Sequence, residues 1–257
     1  MSYDIVIPLK KSEMNEDLRF TLRALEKYGG DFGRVWIVGH CPKWLTGVRY
    51  VHTEQTADKW TNTLANRLRI CEEVDLSDDF VLFNDDFILT RPVEDWLVAT
   101  NFHRGYLADY ALELQASGVS MTRWRRGFAF NDRVLKHLGV KQPLNFEYHG
   151  PMLFNKHRFP KIYETRALEV FSEPNELFFH RSIYGNLYPR DDLAEAVVID
   201  DDPKLRTTDI TSEDYLTRYG FFSVADFVTN NRARFPRLRA WLDSHLGTPS
   251  RFENGKC

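Results

Sequence analysis

The sequence predicts an α/β fold: a mostly parallel, Rossmann-type sheet flanked by helices, with a small C-terminal helical extension. Three observations carry this. Short apolar runs of strand length recur through the first 90 residues or so, segments with helical periodicity separate them, and the resulting order is β-α-β-β-α-β. Antiparallel neighbours need only a tight turn, whereas helix-length connections between strands favour parallel pairing.

Ile5 to Leu9 forms the first apolar run, interrupted at Pro8. Ser12 or Asn15 can cap the helix that follows, in which Leu18, Leu22, Leu25 and Tyr28 share one face before Gly29-Gly30 stops it. Val35 to Gly39 is a second buried strand and Val48 to Val51 a third with partial alternation. Leu64, Leu68 and Cys71 then recur at spacings of three and four after Trp60, marking a second helix. Phe80 to Phe83 is the central strand, and it breaks off into Asn84-Asp85-Asp86.

That break is the main chemical signal. Open α/β sheets bind ligands outside the carboxyl ends of their strands. Adjacent carboxylates there call for positive charge, and hard divalent cations prefer carboxylate oxygens. The natural arrangement is a cation holding a diphosphate; a turn cap or solvated acids would read the same way. Lys59 and Asn62 lie three apart at the start of the second helix, where a lysine and a helix N-terminus suit a diphosphate. They equally describe an ordinary solvated first turn.

After Arg91-Pro92 the pattern loosens into short helical stretches, including Asp132 to Leu138. The run Arg123-Trp124-Arg125-Arg126 suits phosphates, a base or a sugar, or forms a solvated helix face. His149 leads into a short strand ending Asn155-Lys156, and His180-Arg181 follows an aromatic stretch, with Tyr184 and Asn186 close behind. Each histidine alone reads as structural; together they nominate a working group. Asp200-Asp201-Asp202 reads as a surface turn. Beyond Tyr215 one or two small helices are expected, with Phe221, Phe222, Phe227, Trp241 and Leu242 as docking residues and a frayed tail from Ser250. Residues 1–200 are thus expected to form the main domain and 201–257 an extension packed on it.

Composition narrows the class. The 257 residues are 43% hydrophobic and 14% aromatic, enough for a large core, and a net charge of -3 gives no global attraction to nucleic acid or anionic membrane. Three scattered cysteines without metal-like spacing point to a reducing compartment. Without a leader-like N-terminus or a run of membrane-spanning length, a soluble cytoplasmic protein is expected, in a bacterial or phage-infected cell.

Five pieces in order resemble a known family: the helix Asp17 to Tyr28, Val35 to Gly39 with Pro42-Lys43-Trp44-Leu45, Phe80 to Phe87, His149-Gly150-Pro151 before a strand, and Ser182-Ile183-Tyr184-Gly185-Asn186. The set is similar to the Stealth-type sugar-phosphate transferases of capsule synthesis and to smaller glycosyltransferase-like proteins of bacteria and phages. It covers roughly residues 4 to 190. Those proteins carry a characteristic segment after the first strand where this chain reads Ile7-Pro8-Leu9-Lys10-Lys11-Ser12, a departure that favours the smaller branch.

The resemblance implies a glycosyltransferase A-type fold, a nucleotide-diphosphate sugar as donor, and Mn2+ or Mg2+ at the acidic motif. On this reading Asp86 is the metal ligand, Asp85 assists and Asn84 shapes the turn. Lys59 and Asn62 sit near the diphosphate, and Arg181, Arg125 and Arg126 add fixed positive charge. Asp109, His149 and His180 are the candidate bases for an acceptor hydroxyl, with a metal-ligand role for either histidine equally open. The acceptor is a glycan or a hydroxylated base of phage DNA. Two alternatives stand beside glycosyl transfer: sugar-1-phosphate transfer, and a non-catalytic carbohydrate- or nucleic-acid-binding module.

Overall fold

The computed structural model describes residues 3–12, 15–93, 102–164, 176–189, 197–200, 202–206, 209–210, 212–224 and 234–253. Phe227, Asp201 and the last four residues lie outside this set. The chain divides into two compact units. The first takes in residues 1–97, 149–156 and 203–257, the second residues 98–148 and 157–202.

The first unit begins β1 (Asp4–Leu9), α1 (Glu16–Tyr28), β2 (Val35–Gly39), β3 (Arg49–His52), α2 (Lys59–Cys71), β4 (Asp79–Leu82) and β5 (Phe87–Leu89). The second unit holds β6 (Phe102–His103), α3 (Leu107–Ala116) and α4 (Arg123–His137). Next comes β7 (Met152–Asn155) of the first unit, then α5 (His180–Leu187) and β8 (Val197–Val198) of the second. The chain ends in the first unit with β9 (Lys204–Leu205), α6 (Glu213–Thr217), β10 (Phe221–Val224) and α7 (Pro236–Leu246).

Among the described residues, the main sheet of the first unit runs β3-β2-β1-β4-β7, with β1 to β4 parallel and β7 antiparallel to β4. The central strands are continuously apolar because both faces are covered. Pro8 is tolerated inside β1 because pairing with β4 ends at Val6, two residues earlier, on the side its missing N–H would face. In α1 the expected stripe of Leu18, Leu22 and Leu25 is buried. Asn15 precedes that helix at φ 48°, but its amide reaches back to the Lys10 carbonyl instead of capping. In α2 the expected stripe gives way: Asn66, Arg67 and Ile70 are the buried residues.

A second sheet, β5-β10-β9, begins immediately after the acidic turn. Here the structure corrects the sequence reading, because Phe221 and Phe222 lie in a strand antiparallel to β5 and not in a helix. Phe222 meets Trp241 of α7 edge-on at 5.7 Å, and Arg239 of α7 reaches Glu16 of α1 at 2.6 Å. The tail is also ordered through Glu253. Its carboxylate takes hydrogen bonds from Arg23 Nε and Nη2 and Arg19 Nη1, each at 2.8 Å, and from the Ser250 backbone at 2.9 Å. Burial alone would raise its pKa, but these donors overrule it and hold the group at about 2.

The second unit packs around Phe128, Phe130, Phe146, Phe159 and Phe179. Asn131, fully buried, donates to the Gly127 and Leu177 carbonyls and accepts from Phe179 N–H, so its polarity is satisfied inside the core. Asp132 to Leu138, expected as a short helix, belongs to the longer α4 and its cap.

Candidate functional site at the carboxyl edge of the parallel sheet

Register alone assembles the edge. Leu9 pairs with Gly39 and Gly39 with His52, so β1, β2 and β3 end level. Phe83 N–H donates to the Val6 carbonyl, so β4 stops beside β1 three residues short of that level. The residues leaving this edge are Lys10, His40, Thr53 and Asn84. Antiparallel β7 starts where β4 stops, Met152 opposite Leu82, so His149 enters at the same edge as Asn84-Asp85-Asp86. This is the place where open sheets bind ligands.

Between β2 and α2 the edge carries a polar cluster that the sequence did not announce. Thr53 hydroxyl donates to Asn66 Oδ1, and Gln55 Nε2 donates to Thr53 Oγ1 at 3.0 Å. Gly39 lets this happen. Its φ is +109°, and a Cβ there would stand 2.5 Å from the Leu9 carbonyl and 3.2 Å from Asn66 Nδ2. The Gly39 carbonyl accepts from Tyr50 hydroxyl at 2.8 Å, and burial followed by nearby Cys41 raises the Tyr50 pKa.

The first turn of α2 is already occupied. Asp58 accepts from the Trp60 and Thr61 backbone N–H groups, filling the positions a phosphate would take. Asn62 is committed to Thr56, accepting from its N–H at 2.7 Å and donating to its carbonyl at 2.8 Å. Lys59 remains exposed, its ammonium 4.5 Å from the Trp60 ring centroid.

The acidic turn itself differs from a simple pair of solvent-facing acids. Asn84 and Asp85 are half-buried, and the Asp85 carbonyl accepts from Thr21 at 2.7 Å. Asp86 is buried. Its Oδ2 takes the Lys204 ammonium at 2.9 Å and the Ser223 hydroxyl at 2.7 Å, while its backbone carbonyl accepts from Val224. Asp86 Oδ1 is buried with no hydrogen-bond partner among the described residues. Asp4, at the opposite edge of the sheet, shows the contrast: both of its oxygens are satisfied, by Arg34 N–H, Trp36 Nε1 and Ser77 N–H.

These residues do not fit a divalent cation. A hard cation gathers about six oxygen ligands. Asp86 Oδ2 is already spent on an ammonium, and Oδ1 of the same carboxylate lies next to that charge, so an added ion would be repelled. Among the described residues no three His, Cys, Asp or Glu side chains come together to hold a metal. Lys204 and Ser223 are 118 and 137 residues from Asp86, so no local spacing could have revealed them.

The remaining nominated residues belong to the second unit. Asp109 is exposed on the first turn of α3. His180 begins α5 and meets the Phe159 ring at 6.1 Å. Arg181 is buried, its guanidinium 4.6 Å from the Tyr148 ring centroid and its Nε donating to the Phe146 carbonyl at 3.2 Å. Burial raises the Tyr148 pKa against the opposing pull of Arg181. The next residue, Ser182, donates to Glu147 from both N–H and hydroxyl at 3.0 Å. Arg125 and Arg126 turn back onto the Ser120 and Met121 carbonyls, and Arg126 also faces Glu176 at 3.7 Å. Trp124 lies tilted against Phe179, ring centroids 4.4 Å apart, and Phe179 in turn packs where a Cβ on Gly127 would stand. The basic aromatic run is therefore folded onto its own unit.

No protein-family model matches the chain, and no curated protein matches it in sequence. Among solved structures it is similar to the galactosyltransferase LgtC in complex with donor and acceptor sugar analogues. The TM-score is 0.51 at 12% identity, over 96% of this chain and 98% of that one. The apo form of the glycosyltransferase GlyE from Streptococcus pneumoniae gives 0.39 at 11% identity, over 80% of this chain and 47% of that one. At such identity the first likeness is one of fold: the chain has a glycosyltransferase A-type α/β fold. No helix among the described residues is long and apolar enough to cross a membrane.

Proposed function

We propose that this protein is a glycosyltransferase that moves a sugar from a nucleotide-diphosphate donor to a hydroxyl acceptor. The observation that carries the reading is the carboxyl edge of the parallel strands, along which Asn84-Asp85-Asp86, His149 and the Thr53-Gln55-Asn66 cluster are set out on a transferase-type fold. The donor lies along this edge. Thr53, Gln55 and Asn66 supply fixed donors and acceptors beside Gly39.

Glycosyl transfer requires that an acceptor hydroxyl lose its proton as the anomeric carbon is attacked and the nucleoside diphosphate leaves. His149, at the same edge as the acidic turn, is the favoured base. Lys59 is the exposed ammonium nearest the start of α2 and meets the outer part of the nucleotide. Of the two acceptor classes a glycan is favoured, because the net charge of -3 gives no global attraction to a phosphate backbone.

The test is a donor screen: purified protein with a panel of nucleotide sugars, reading the released nucleotide by chromatography. A nucleoside diphosphate released from one donor, and more quickly with acceptor, is the expected result. A monophosphate would mean sugar-phosphate transfer instead. Donor binding without release would leave a carbohydrate-binding module.

A further inference from the structure

We propose that Lys204 provides, at the acidic turn, the positive charge otherwise expected from a divalent ion, so that the diphosphate is bound and released without a metal. This deepens the transferase reading and rests on it. Lys204 lies in β9, whose register is fixed to β10 through Ser223↔Lys204 and Val224↔Leu205. Ser223 N–H donates to the Pro203 carbonyl at 2.7 Å and Val224 N–H to the Asp86 carbonyl at 3.2 Å, tying ammonium and carboxylate to one backbone frame. The side chain is 14% exposed, so it is neither sealed in the core nor free in solvent.

An ammonium carries three N–H donors. One meets Asp86 Oδ2 at 2.9 Å, and the other two are assigned to phosphate oxygens of the donor. Asp86, steadied by Ser223 Oγ at 2.7 Å, acts as a positioning residue that aims the cation. Fixed positive charge placed beforehand offsets charge on the departing diphosphate without reorganisation during the reaction.

The experiment is calorimetric binding of UDP, GDP, ADP and CDP to the full chain, once with EDTA and once with Mn2+. The expected result is one nucleotide bound equally well in both buffers. Lys204→Met then weakens binding by at least about tenfold, the scale of a charged hydrogen bond, and Lys204→Arg keeps most of it. Binding that needs Mn2+ overturns the inference while leaving the transferase reading intact. Unchanged affinity in a folded Lys204→Met variant does the same. The wild-type comparison settles the metal question even where the methionine variant fails to fold. If none of the four binds in either buffer, both readings fall together.

Discussion

Replacing Glu253 with glutamine tests the electrostatic logic of the first unit in a quantity that can be worked out beforehand. The folded-state pKa is about 2 against an ordinary 4.5. At about 1.36 kcal/mol per pKa unit the ionised form is favoured by up to roughly 3 kcal/mol. Arg19 and Arg23 retain some contact with water, so solvent screening brings the expected figure to about 2 kcal/mol. The value is depressed on folding, so the stabilisation is complete above pH 4.5 and drains away as pH falls toward 2. By about pH 3 less than half of it should remain. Glu253→Gln should therefore melt about 4–8 °C below wild type at pH 7, followed by circular dichroism, and the gap should shrink by half or more at pH 3. A gap that stays constant between pH 7 and pH 3 would refute the reasoning. The local consequence matters for the site: Arg19 also stacks on Trp44 at 4.0 Å, and Thr46 N–H bonds the Phe252 carbonyl, so this clamp holds the segment that follows β2.

Two other perturbations have defined outcomes. Gly39→Ala should cost about 2–4 kcal/mol, from strained backbone and from contact with the Leu9 carbonyl, whereas Gly105→Ala, with nothing within 4 Å of its added Cβ, should cost only about 1 kcal/mol. Equal losses in thermal melts would sink the close-approach argument. The Cys71 thiol is pushed up to about 12, chiefly by burial and further by Glu72, against a lowering by Lys156. In the folded protein it should react with iodoacetamide at pH 8 roughly a thousandfold more slowly than a free thiol; labelling of the Cys71 peptide within minutes would contradict this.

Much of the frame was legible because it is written in local patterns. The apolar runs at Ile5, Val35 and Phe80 and the stripe of α1 report burial directly, and the break into Asn84-Asp85-Asp86 marks where β4 stops. The illegible parts depend on partners distant in the chain. Phe221-Phe222-Ser223-Val224 is buried throughout, so it lacks the alternation that would separate strand from helix. Nothing local marks Asn66 as buried, because its partner Thr53 lies 13 residues away across the turn into α2. Glu253 looked like a frayed tail because its arginines are 230 and 234 residues away. Lys204 escaped notice since it stands just past an Asp-Pro turn, with no sequence mark of the carboxylate it serves.

The first unit is discontinuous, its final portion beginning at Pro203, and this fixes when the acidic turn can mature. During synthesis Asp86 emerges long before Lys204 and Ser223, so the turn waits as an unpaired carboxylate while the second unit is made. Closing so long a loop is slow compared with local helix formation. The nascent chain should gain native β1 to β4 pairing early and a neutralised acidic turn only at the end. Shortening the chain before β9 would leave Asp86 without the Lys204 ammonium and the Ser223 hydroxyl that it meets in the folded protein.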